Sequence, residues 1–179
     1  MGGGRVTDSG RGVHLRDARD EDRAAVAALT LQAYGEYAAR MEPGAWAGLH
    51  GAVTGALAAY EAGVERIVAE RDGEIVGSVM LYPAKASAYG ELADAASWPE
   101  LRLLAVAPSA RGQGVGKALV MECVRRARAA GAAELGLHTS HSMEVALGMY
   151  ERMGFVRAPE HDFQPPGGEL VTAYRLALG

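Results

Sequence analysis

The sequence predicts an α/β (α+β) fold built on a mixed sheet, and three observations carry that expectation. Strand-like and helix-like stretches alternate as strand, helices, a run of strands, helix, strand, helix, strand. Asp72-Gly73 stands between two apolar runs, which is a hairpin signal. Leu101–Ala130 reads as an apolar strand, a glycine-rich turn and an amphipathic helix without a gap. A chain of 179 residues suits one domain with a single core. We place that domain at 12–179, behind a Gly-rich stretch, 1–11, read as a flexible tail.

Taken in order, Val13-His14-Leu15-Arg16 alternates as a half-buried strand does. Asp20 is placed to cap a helix carrying Ala24, Ala25, Ala28 and Leu29 and running to about Ala39, before Pro43-Gly44. Trp46, Leu49, Val53, Leu57 and Tyr60 have helical spacing, weakened by Gly48, Gly51 and Gly55. Arg66–Glu70 and Glu74–Tyr82 form the hairpin, 83–97 is a loop, and Pro99–Val106 is the next strand. Val115, Leu119, Cys123, Ala127 and Ala130 line one face of the following helix, which Gly131 stops. Glu134–Thr139 is a strand. Ser142 caps a helix over Met143–Met153 that ends at Gly154. Phe155-Val156 opens a short strand, 158–168 is a loop, and Leu170–Leu178 alternates as the last strand.

Composition narrows the function classes. Hydrophobic residues at 49% and charged residues at 22% fit a soluble globular domain. No apolar run is long enough to span a bilayer, and the first residues carry neither an apolar signal core nor a myristoylation pattern, so the cytoplasm is the expected compartment. The single cysteine, Cys123, excludes an internal disulfide and a cysteine zinc site. A net charge of −4 argues against nucleic acid and is compatible with a cationic substrate.

The turn Arg111-Gly112-Gln113-Gly114-Val115-Gly116-Lys117 is suited to an anion. Glycines let backbone N–H groups approach a ligand, and the free N–H groups of the helix start face it. It is not a P-loop: only three residues separate Gly112 from Gly116, and Ala118 stands where Ser or Thr must hold magnesium. Nor does it have the spacing or the early place of a dinucleotide fingerprint. Arg111 to Gly116 resembles the R/Q-x-x-G-x-G/A pattern of the GNAT superfamily of N-acetyltransferases. Tyr150-Glu151-Arg152-Met153-Gly154-Phe155 resembles the same family's Y-x-x-x-G-F signature. The resemblance spans roughly residues 13–178.

The resemblance implies a mostly antiparallel mixed sheet of six to seven strands with about four helices. It also implies a V-shaped splay between the fourth and fifth strands, Glu100–Val106 and Glu134–Thr139, with acetyl-CoA in the gap. Its implied cofactor contacts are Leu104, Ala105 and Val106 on the strand, then Arg111, Gly112, Gln113, Gly114, Val115, Gly116 and Lys117 in the turn. Thr139, Met143 and Ala146 complete that set. Relatives often carry Asn where this chain has Met143, so Thr139, Ser140 or Ser142 is expected to replace that contact, or the contact is absent.

The implied reaction is direct acetyl transfer to a primary amine of a small molecule or protein. Tyr150 would be the acid that protonates the thiolate, Glu100 the base, and a backbone donor near Leu104 or Val106 would stabilise the oxyanion. A non-catalytic acyl-CoA sensor or interaction module on the same fold is the alternative. Tyr34, Glu36, Tyr37, Trp46, His161, Asp162 and Phe163 are candidates for the acceptor pocket, because aromatic walls and a carboxylate suit an ammonium group. His138 and His141 lack an evident third ligand, so no metal is expected; nucleic acid and membrane are not expected partners, and a homodimer is an open alternative.

Overall fold

The structure is a computed structural model that describes residues 12–179; the expected tail at 1–11 lies outside the described residues. Seven strands form one sheet: β1 His14–Asp17, β2 Glu65–Arg71, β3 Glu74–Tyr82, β4 Glu100–Val106, β5 Glu134–Thr139, β6 Val156–Arg157 and β7 Thr172–Ala177. Their spatial order is β1-β2-β3-β4-β5-β7-β6. Every pairing is antiparallel except β4 with β5. The helices are α1 Arg23–Gly35, α2 Pro43–Ala59, α3 Val115–Ala129 and α4 Glu144–Arg152.

The alternation of each strand sends side chains to two layers. Leu15, Ile67, Ala69, Val79, Leu81 and Leu101 pack with Val115, Leu119, Cys123 and Ala127 of α3 and with Tyr150 of α4. Met80, Tyr82 and Leu103 face the other way, against Val53 of α2 and Tyr34 of α1. The i, i+4 row on α3 is almost fully buried, and Val115 and Leu119 in it each contribute about 1.5–3 kcal/mol when taken from water. A methyl on Gly77 would come within 2.9 Å of Val115 and 3.0 Å of Leu119, so α3 seats directly on the backbone of β3.

The Asp72-Gly73 hairpin forms as the dipeptide requires, with φ of 51° and 80°. Some boundaries differ from the sequence reading. Asp20 does not cap α1; it pairs with Arg23 at 3.0 Å, and a 3-10 turn, Asp20–Asp22, precedes the helix. Asp22 takes the organising part instead. Its carboxylate accepts from Arg16 at 2.6 Å and from the Arg19 N–H at 2.7 Å, and Arg16 first holds its pKa down to about 2. The α1 helix stops at Gly35 and a 3-10 turn, Glu36–Arg40, follows. Ser142 does not cap α4, because its hydroxyl donates to Glu169 at 2.6 Å and residues 141–143 form a 3-10 turn. Ala130 is exposed, so the apolar row on α3 ends at Ala127.

Two details of β4 position the site. It meets β5 only at Glu100↔Gly136 and Leu101↔Leu137, after which the strands part. The register with β3 also slips between Ser78 and Met80, at Leu103, whose φ is 53°. The Pro99 carbonyl accepts from Gly136 on β5, whereas the Ala107 N–H donates to Val76 on β3. Residues an even number apart on a regular strand point the same way, so the extra residue reverses the alternation. The backbone groups of Leu104 and Val106 therefore face the β5 side, where the splay has removed their partner.

Gly136 also carries Trp98: a methyl there would lie 1.9 Å from Trp98 Nε1. Gly136→Ala is expected to destabilise the protein by about 1–3 kcal/mol through overpacking at the apex of the splay. Urea unfolding measures it, and an unchanged midpoint would mean that Trp98 does not lie there.

Candidate active site

The glycine turn follows β4 as expected. Gly112 and Gly114 have φ of 69° and 81°, a region that disfavours any residue with a Cβ, and nothing lies within 4 Å of a methyl built at either. Their glycines answer to conformation and leave an open face. Gly114 is the N-cap of α3 and no side chain caps the helix. The first helical hydrogen bond is that of Ala118 N–H to Gly114, so the N–H groups of Val115, Gly116 and Lys117 are left for a ligand. Such a helix start, with its dipole behind it, is suited to an anion. Arg111 and Lys117 are exposed at its rim. Arg111 meets Glu36 at 2.6 Å, an exposed pair of small worth that a pyrophosphate can displace. The Gln113 side chain turns inward, accepting from Arg71 at 2.6 Å and donating to the Ser109 carbonyl at 3.1 Å, so only its backbone is available to a cofactor.

The other implied contacts lie on β4, at the end of β5 and around the start of α4. Leu104 and Val106 are half-buried beside it and Ala105 is buried. Met143 precedes α4, and Ala146 and Met149 face the core from that helix. The hydroxyls of Thr139 and Ser140, at the end of β5, are buried without a hydrogen-bond partner. Buried hydroxyls normally have one. They are candidates for the contact that Asn makes in relatives and that Met143 cannot make; Ser142 is already committed to Glu169. Gly114→Ala should raise the KM for acetyl-CoA about tenfold, since the strained φ costs about 1–2 kcal/mol. Steady-state titration of acetyl-CoA checks it, and an unchanged KM would remove the turn from cofactor binding.

Tyr150 is buried on α4, with its ring edge-on to Phe155 at 5.7 Å. Burial pushes its phenol well above the usual value, with smaller contributions from Tyr34 and Tyr37. It therefore keeps its proton at neutral pH. Tyr34 and Tyr37 meet edge to face at 5.7 Å near the end of α1.

Glu100 is 5% exposed at the start of β4. One of its oxygens, Oε1, contacts His138 Nδ1. His138 Nε2–H donates to the His161 carbonyl at 2.9 Å. A carbonyl only accepts, so Nε2 carries hydrogen. One more proton then lies between Nδ1 and Glu100, on either partner. The pair is enclosed by Tyr89, edge-on to His138 at 4.7 Å, and by Phe163, 5.2 Å from His138. Burial first, and the Glu100 carboxylate next, raise the Tyr89 phenol well above its usual value.

Of the expected acceptor residues, the structure brings Tyr34, Tyr37, His161 and Phe163 to this region. Three others are engaged elsewhere, Glu36 among them in its pair with Arg111. Trp46 packs against His50 on α2 at 5.5 Å. Asp162 is not a free carboxylate: Arg157 holds both its oxygens at 2.7 Å, and the Ala173 N–H donates to it at 2.8 Å. That clamp orders the loop before β7 and, led by Arg157, lowers the Asp162 pKa. His138 and His141 do not converge: His141 is exposed, 3.5 Å from Glu169. Among the described residues, no group of three His, Cys, Asp or Glu side chains is placed to hold a metal. Sequence reasoning missed His138 as the partner of Glu100, and it missed Tyr89 and Arg102. The period-two alternation was an available signal, since Glu100 and Arg102 share a face of β4 as Gly136 and His138 share one of β5.

A splayed parallel pair with a glycine turn and an uncapped helix start at its end is the arrangement that the sequence resemblance implies. The comparisons agree. The family described as "Acetyltransferase (GNAT) family" matches residues 23–155, and the chain belongs to it. Mouse "Probable N-acetyltransferase family 8 member 5" is 36% identical over 94 residues, 52% of this chain and 39% of that protein. Mycothiol acetyltransferase of Cellulomonas flavigena is 33% identical over 101 residues, 56% of this chain and 29% of that protein. The chain thus spans well under half the length of these two relatives. Among solved structures, a GCN5-related N-acetyltransferase from Rhodopseudomonas palustris shares the fold, with a TM-score of 0.71 at 21% identity, covering 96% of this chain and 99% of that one. A GNAT acetyltransferase from Brucella melitensis, in complex with acetyl-CoA, aligns with a TM-score of 0.61 at 26% identity, covering 93% and 88%. No described helix is long and apolar enough to cross a membrane.

Proposed function

We propose that this protein transfers an acetyl group from acetyl-CoA directly to a primary amine. The observation that carries the reading is the splay of β4 from β5, with a buried acid and a buried base beside it and the glycine turn at its end. The backbone N–H groups of 114–117 bind the pyrophosphate, helped by Arg111 and Lys117. The strand edge at Leu104 and Val106 pairs with the pantetheine arm, and Thr139 and Ser140 supply further contacts.

The transfer balances without a further reactant. Glu100 takes a proton from the ammonium. The amine nitrogen bonds to the acetyl carbonyl carbon while a backbone N–H of Leu104 or Val106 stabilises the oxyanion. The carbon–sulfur bond breaks as Tyr150 protonates the departing thiolate; the new amide nitrogen gives up its second proton, which returns to the Tyr150 phenolate through solvent, and Glu100 releases the first to solvent. Cys123 takes no part: it is fully buried, and burial pushes its thiol up to about 12, so it is no nucleophile at neutral pH.

The test is incubation with acetyl-CoA and a panel of primary amines, read by mass spectrometry. The expected result is a gain of one acetyl group on an amine with release of one equivalent of CoA. Tight CoA binding with no acetylated amine across the panel would instead support an acyl-CoA sensor on this fold.

A further inference from the structure

Arg102 is the charge that the reaction above does not use. It lies on β4 two residues after Glu100, and the pairings Tyr82↔Glu100 and Met80↔Arg102 set both on the face turned toward α1 and α2. Its guanidinium lies 4.3 Å from the centre of the Tyr89 ring and 5.6 Å from that of Tyr82. One nitrogen, Nη1, donates to the Ala88 carbonyl. The rings of Tyr89 and Tyr82 face it, and Glu100 stands two residues before it on the same face of the strand. Among the described residues, Arg102 makes no ion pair; Glu100, the nearby carboxylate, is taken by His138. A largely buried cation without an anion is costly, and Nε and Nη2 remain to form a two-pronged bond with a carboxylate. The glycine turn begins beyond the far end of β4, so this cation is not part of the pyrophosphate cradle.

We propose that Arg102 binds a carboxylate of the acceptor, so that the substrate is an amino acid or another amine carrying a carboxylate near the reacting nitrogen. Residues two apart on a strand lie about 7 Å apart along one face. A carboxylate base and a guanidinium at that spacing match a zwitterion, ammonium toward Glu100 and carboxylate toward Arg102. The Tyr89 and Phe163 rings meet at 5.0 Å beside Glu100 and its partner His138, and Tyr34 packs with Met80, Tyr82 and Leu103 on the same face of the sheet. This inference rests on the acetyl-transfer reading.

The experiment compares the common L-amino acids with their carboxamides and their decarboxylated amines in acetyl-CoA turnover. For the best acceptor, kcat/KM should favour the free carboxylate about 10- to 100-fold, the range expected for a hydrogen-bonded charge. In Arg102→Gln that preference should collapse toward one, through the acceptor KM rather than the acetyl-CoA KM, with Arg102→Lys between. Equal use of carboxylate and carboxamide by the wild-type protein would overturn the proposal, as would a preference that survives in a folded Arg102→Gln. If no amine at all is acetylated, the acetyl-transfer reading fails, and calorimetry still decides this one. N-acetyl amino acids should bind the wild-type protein with CoA, more tightly than their amides; no difference between acid and amide would overturn it.

Discussion

Tyr150→Phe is expected to lower kcat about 100-fold while leaving the KM for acetyl-CoA nearly unchanged, the usual reach of a positioned general acid. The substitution removes one oxygen and keeps the ring that packs on Phe155. Thermal unfolding should therefore stay close to wild type, which separates loss of chemistry from loss of fold. The pH dependence follows from burial. Because Tyr150 is held well above the usual phenol value, its proton is not lost as pH rises from 7 to about 10. The wild-type kcat should show no alkaline decline from this group over that range. Full activity of Tyr150→Phe across pH would assign the acid elsewhere.

Glu100→Gln is expected to lower kcat/KM about 100-fold at pH 7, where a primary amine is mostly an ammonium ion and must give up a proton. The deficit should shrink as pH approaches that of the free amine, because the acceptor then arrives already neutral. His138 shares a proton with Glu100 and is itself fixed by the His161 carbonyl. In the proposed reaction it is a positioning residue, acting through the carboxylate. His138→Gln should lose about tenfold in kcat, less than Glu100→Gln, and change the shape of the pH profile. A pH profile identical to wild type would make His138 structural only. Wild-type rates in Glu100→Gln at pH 7 would remove Glu100 as the base.

The strand, glycine turn and helix start were legible because they depend on local sequence. A glycine at positive φ, a helix start and a strand before it all leave marks within a few residues, as at Gly112, Gly114 and Leu101–Val106. The hairpin at Asp72-Gly73 was legible for the same reason. The acceptor half depends on long-range pairing. His138 meets Glu100 across 38 residues, and Tyr89 reaches the pair from a loop with no periodic signal. Asp162 looked free in the sequence, yet Arg157, five residues earlier, holds it in a two-pronged pair. The bulge at Leu103 was not legible either. Nothing in Leu103-Leu104 shows that one of two leucines will take a positive φ, since that conformation is imposed by pairing with β3.

Direct transfer is the claim on which the account turns, and initial-rate kinetics with both substrates varied tests it most directly. Glu100 and Tyr150 in their proposed roles, with Cys123 of α3 buried in the core, predict that acetyl-CoA and amine are bound together. Double-reciprocal plots of rate against one substrate at fixed levels of the other should intersect. Parallel lines, together with an acetylated protein isolated before any amine is added, would show a covalent enzyme intermediate and contradict it.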